Sequence, residues 1–147
     1  MNIAEYLETK NLEGYATPYG LRHTSNDINF NELLGKVINK ITILQDEEAI
    51  AFELDDCVIL MHHWGDCCES VTINDITGDL DDLIGYPLLL AEESTNSEDN
   101  PPEYSDSFTW TFYKLATFKG YVDIRWLGES NGYYSESVDI TKYIKST

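Results

Sequence analysis

The sequence predicts a mainly β protein of the α+β class: one twisted antiparallel sheet or partly closed barrel carrying one or two short helices. Three observations predict it. Apolar residues alternate with polar or smaller ones over short stretches, most plainly at Phe108, Trp110 and Phe112 and again at Val122, Ile124 and Trp126. A period of two puts alternate side chains on opposite faces of a strand. Turn formers separate these stretches at intervals suited to strands, and helical spacing is confined to three short segments.

Ile3, Tyr6 and Leu7 fall at helical spacing and predict a short N-terminal helix, which Gly14, Pro18 and Gly20 end. Asn26 or Asp27 is placed to cap a second short turn through Phe30, Leu33 and Leu34 to Gly35. From Lys36 the period becomes two. Val37, Ile41 and Ile43, a turn at Gln45, Asp46 and Glu47, and then Ile50, Phe52 and Leu54 make a hairpin. Asp55 and Asp56 turn the chain into the apolar run 57–61, too short for an ordinary helix and expected to be a central strand. It ends at His62 and His63. Trp64, Gly65 and Asp66 then reverse the chain into a strand over 67–73. One helical turn is expected at 79–85, with aspartates near its positive end and Gly85 after it, followed by a strand over 87–91. Residues 94–106 combine turn formers, negative charge and Pro101 and Pro102, and predict a mobile acidic surface loop. Strands over 108–113 and 122–126 form a hairpin turning at Lys119 and Gly120. A last extended stretch covers 134–144.

A chain of 147 residues has the size of a single domain, 1–147, and buries roughly two-thirds of the surface its unfolded form exposes. Its charge is unevenly placed. Residues 41–113 hold 18 of the 27 acidic residues and no lysine or arginine, so the formal −18 sits in that half, the flanks balancing nine acidic against nine basic residues. Such a field repels phosphate backbones and anionic lipid, so direct nucleic-acid binding and membrane association are not expected. The chain lacks both a basic, apolar leader and a run of about 20 apolar residues, and a cytoplasmic location in a host cell is expected. The cysteines are three, with Cys67 and Cys68 adjacent, a pattern that suits reduced thiols rather than a disulfide framework.

The run of His63, Asp66, Cys67, Cys68, Glu69, Ser70 and Val71, with Asp75, Gly78, Asp79, Leu80, Asp82, Gly85, Glu92, Glu93, the stretch 110–117, Lys119, Gly120 and the stretch 130–138, resembles a family of small acidic proteins of bacteriophages and bacteria. That family is a domain of unknown function. The resemblance spans about 62–138 and implies a phage or mobile-element setting, with no activity attached.

Three chemistries are weighed on these residues. His62, His63, Asp66, Cys67 and Cys68 are candidate zinc ligands by type, but neighbours in a strand point apart, and no second ligand pair stands at the usual spacing. A cysteine nucleophile with a histidine base sits in the wrong field, because the six carboxylates between Asp46 and Asp56 raise a thiol's pKa. Paired carboxylates are numerous and match no calcium loop. Neither a catalytic residue nor a cofactor is assigned.

Two binding surfaces remain. Asp55, Asp56, Asp79, Asp81, Asp82, Glu92 and Glu93 form a candidate partner-binding face, and Trp110, Tyr113, Lys114, Arg125, Trp126 and Tyr133 a candidate pocket for an anionic ligand. The leading expectation is a binding protein, not an enzyme. It inhibits a host defence protein by offering an acidic, nucleic-acid-mimicking face to a basic, nucleic-acid-binding surface. The alternatives are a sponge for an anionic nucleotide signal and a zinc-dependent hydrolase.

Overall fold

The computed structural model describes residues 5–6, 9, 12–13, 27–44, 46–63, 68–97 and 106–145. Their strands form two antiparallel sheets. The first has five strands: β1 (Leu12–Glu13), β9 (Asp139–Lys145), β4 (Cys57–His62), β3 (Ala49–Glu53) and β2 (Lys40–Leu44), in that order across the sheet. The second has four: β5 (Ser70–Thr77), β8 (Gly120–Ser130), β7 (Ser107–Thr117) and β6 (Leu90–Asn96). The expected single sheet or partly closed barrel is therefore two open sheets. The helical content of the named elements reduces to two 3-10 turns, Phe30–Leu33 and Leu80–Leu83.

The reason for two layers is visible in β4. Every residue from Cys57 to His62 is buried, because the strand is covered on both faces. Cys57, Ile59 and Met61 join Ile50, Phe52 and Ile140 against Val71, Ile73, Tyr113, Leu115, Val122, Ile124 and Trp126 of the second sheet. Val58 and Leu60 point the other way into a smaller cluster with Ala49, Ala51, Tyr143 and Tyr6. Of the expected N-terminal helix, Glu5, Tyr6 and Thr9 are described and helical, Thr9 Oγ1 donating to the Tyr6 carbonyl at 2.7 Å; Ile3 and Leu7 lie outside the described residues.

Turn chemistry sets the ends of the layers. Asp46 and Glu47 take φ values of 51° and 73° between β2 and β3, and the Glu47 carbonyl accepts the Ile73 amide at 2.9 Å, tying the turn to β5. Asn29, rather than Asn26 or Asp27, precedes the first 3-10 turn, its amide donating to Glu32 Oε2 at 2.9 Å. The second turn matches its expectation in place but winds more tightly than an α-turn; Asp79 Oδ1 accepts the Asp81 amide at 2.9 Å.

The long hairpin pairs Ser107 with Ser130 through to Thr117 with Gly120. It turns at Phe118 and Lys119, one residue earlier than expected. β5 continues to Thr77 past an irregularity between Ile73 and Asp75. β6 starts at Leu90 and runs through Asn96, so Ser94, Thr95 and Asn96 of the expected loop are strand, while 98–105 lie outside the described residues.

Candidate functional site

The histidine and cysteine run is pulled apart. His62 turns into the smaller cluster, where its Nε2 lies 3.2 Å from Thr141 Oγ1, and Thr141 in turn donates to Asp27 Oδ1 at 3.3 Å. His63 turns the other way. Its Nδ1 is 2.7 Å from the Ser137 carbonyl and its Nε2 is 3.4 Å from Glu69 Oε2. Cys57 is a buried thiol outside any disulfide, whereas Cys68 is disulfide-bonded, which corrects the expectation of reduced thiols. Asp66 and Cys67 lie outside the described residues. Among the described residues no group of three or more His, Cys, Asp or Glu is placed to hold a metal ion.

The expected anion pocket divides by strand parity. Tyr113 and Trp126 are fully buried between the sheets, and Tyr133 is exposed in the segment after β8. Trp110, Lys114 and Arg125 share the outer face of the second sheet, as cross-strand pairs Lys114 with Asp123 and Phe112 with Arg125 show. Arg125 lies 5.3 Å over the Trp110 ring and donates to Asn74 Oδ1 at 2.9 Å. Lys114 and Arg125 line a cleft of about 390 Å³ with Phe112, Ser94, Thr77, Asp75 and Asp123. Asp75 pairs with Arg125, and Glu92 and Asp123 flank Lys114. Two carboxylates match the two cations of the lining, and Glu92 stands opposite Lys114, so the cleft has no net attraction for an anion.

The carboxylate run is also divided. The turn at Asp46, Glu47 and Glu48 and the turn at Asp55 and Asp56 cap opposite ends of β3. Glu92 faces the outer side of the second sheet, opposite Lys114. Glu93 lies opposite the buried Tyr113 and lines a separate cleft of about 360 Å³ with Asp27, Asn29, Asn31 and Asp139, residues far apart in the chain that no local pattern joins. Burial, and then the facing Glu93 carboxylate, push the Tyr113 phenol well above its ordinary pKa.

Asp55, Asp56, Asp79, Asp81 and Asp82 do gather at one end. Asn39 donates to Asp55 Oδ1 at 2.6 Å, the adjacent Ile38 bridges Ile84, and the Thr117 hydroxyl donates to the Asp82 carbonyl. The β3–β4 turn, the second 3-10 turn and the β7–β8 turn thus share one end of the molecule. Among the described residues none of these five carboxylates forms an ion pair within 4 Å with lysine or arginine.

A carboxylate that sequence reading passed over anchors the segment after β8. Glu136 accepts from Thr109 Oγ1 at 2.8 Å and from Ser130 Oγ. Burial pushes its carboxyl up, but hydrogen bonds from Ser130, Ser107 and Thr109 outweigh this and hold it below the usual range. A lowered folded pKa contributes stability that is present above the unfolded value of about 4.3 and lost as pH falls through the folded one. Glu136→Gln is therefore expected to cost about 1 kcal/mol at pH 7 and to narrow toward the parent as pH falls from 5 to 3. Urea melts at the two pH values check it.

A family model described as a domain of unknown function, DUF7448, matches residues 31–140. The chain belongs to this family. The match takes in β2 through β8, the second 3-10 turn, all of the first but Phe30, and the first two residues of β9; the four-stranded sheet lies wholly within it, and β1 lies outside it. No curated protein and no solved structure matches the chain. No described helix is long and apolar enough to cross a membrane.

Proposed function

We propose that this family member acts by binding, as an accessory protein of a phage or mobile element that docks an acidic end onto a basic, nucleic-acid-binding surface of a host defence protein and blocks it. The observation that carries this reading is the gathering of Asp55, Asp56, Asp79, Asp81 and Asp82 from two separate segments at one end, none of them within 4 Å of a lysine or arginine among the described residues. Leaving five like charges unpaired is unfavourable for the folded chain and useful for steering toward a positive surface. The rest of the net charge of −18 adds a repulsive field against nucleic acid and anionic membranes. The two alternatives have less support: carboxylates flank Lys114 and Arg125 in the outer cleft, and His62 and His63 point apart.

Exposed charges interact through solvent, where the Debye length falls from about 30 Å at 0.01 M salt to about 8 Å at 0.15 M. Affinity for a basic partner captured from host lysate is expected to fall by about tenfold or more between those conditions, mostly through the association rate. Surface plasmon resonance across a salt series reads this directly, and an affinity flat with salt removes the electrostatic reading.

A further inference from the structure

The acidic end also carries an uncovered apolar patch. Leu89, Phe118 and Tyr121 are 65%, 67% and 74% exposed, and Tyr86 is 37% exposed. Single exposed apolar side chains are ordinary, but a contiguous group marks an interaction surface. Ring contact and backbone pairing bring these four to one region. The Tyr86 and Phe118 rings meet edge to face at 4.5 Å, Lys119 Nζ lies 5.3 Å over Tyr86, and the Leu89 amide donates to the Ala116 carbonyl at 2.8 Å. Ala116 pairs with Tyr121. The acidic turn adjoins the same hairpin: Asp82 lies so close to Gly120 that a Cβ there would come within 2.8 Å of Asp82 Oδ2.

Charge decides what covers the patch. A second copy would set Asp79, Asp81 and Asp82 against their own like charges or bury them unpaired, and an anionic lipid surface is repelled for the same reason. A neutral apolar partner would strip water from the aspartates without replacing it. A basic segment satisfies both halves of the surface.

We propose that the Tyr86, Leu89, Phe118 and Tyr121 patch is the docking centre for a basic, amphipathic segment of a protein partner, whose apolar side chain seats on Phe118 and Tyr121 while its lysines or arginines reach Asp79, Asp81 and Asp82. This rests on the binding function proposed above and adds to it an aromatic anchor, the residue class that dominates interface energetics.

Two probes of equal charge separate the two claims: a peptide of lysine and leucine with one apolar face, and an oligolysine. The amphipathic peptide is expected to bind more tightly, with its largest amide NMR shifts at 79–89 and 116–121. A Phe118→Ser, Tyr121→Ser protein, folded because both side chains are exposed, is expected to lose about tenfold in affinity for that peptide and none for oligolysine. Equal affinity for both peptides or an unchanged double variant overturns the aromatic anchor and leaves the acidic end standing; largest shifts at 46–48 overturn both. If neither peptide binds, the binding function falls, and the anchor with it.

Discussion

Replacing Gly78 by alanine is expected to destabilise the protein by about 3 kcal/mol or more and to loosen the acidic turn that follows it. Gly78 has φ of +102°, a conformation that costs a residue with a Cβ on the order of 1–2 kcal/mol. The added methyl would also collide with the Tyr121 carbonyl oxygen and approach its carbonyl carbon and Val122 Cα at 3.3 Å. All three atoms belong to the backbone of β8, which is paired on both edges and yields only by disturbing its neighbours, a further cost of about 1–3 kcal/mol. Gly35 isolates the two effects. Its φ is +81°, and a Cβ there meets nothing within 4 Å, so Gly35→Ala is expected to cost about 1–2 kcal/mol from backbone strain alone. Urea midpoints of the two variants at unchanged slope give the comparison; equal losses would remove the steric role of the β8 contact. Because Gly78 leads straight into Asp79, the same substitution is expected to weaken basic-peptide binding.

Much of the fold was legible where neighbours in sequence are neighbours in space. The β2–β3 and β7–β8 hairpins were readable because alternation and an intervening turn specify an antiparallel pair locally. The uninterrupted apolar run of β4 announced a strand buried on both faces. What alternation does not encode is which distant strand completes a sheet. β4 pairs with β9 about eighty positions on, Cys57 opposite Ile144, and β5 pairs with β8, Val71 opposite Gly128. Those two pairings divide the strands into separate sheets, and no local pattern distinguishes that outcome from one continuous sheet.

The candidate sites were legible in part. The hairpin reading put Lys114 and Arg125 near one another on a sheet, and their strand positions share a face with Trp110. It also grouped Tyr113 and Trp126 with them, although Tyr113 differs in parity from Trp110 and Lys114 on the same strand and faces the other side; the alternation already carried that distinction. Of the candidate acidic face, Glu92 and Glu93 part because neighbours on a strand point to opposite faces, one opposite Lys114 and the other opposite the buried Tyr113. A β-rich chain reverses at every turn, and five residues of β3 extend about 17 Å, so Asp46 and Asp55 are sent to opposite ends however close they stand in sequence. The apolar patch joins Tyr86, Leu89, Phe118 and Tyr121 through sheet pairing, which single-strand patterns do not contain.

Reversing three aspartates tests whether location or total charge governs binding. Asp79→Lys, Asp81→Lys and Asp82→Lys together shift the local charge by +6, and at about 1 kcal/mol for each exposed charge the expected loss is about 3 kcal/mol, or roughly 100-fold in Kd. Asp46→Lys, Glu47→Lys and Glu48→Lys shift the net charge equally at the opposite end of β3. The most direct measurement is therefore the Kd of both triple variants for the same captured basic partner at one salt concentration. Binding reduced about 100-fold by the first and only severalfold by the second is the predicted result; equal losses, or none from the first, contradict an acidic docking end.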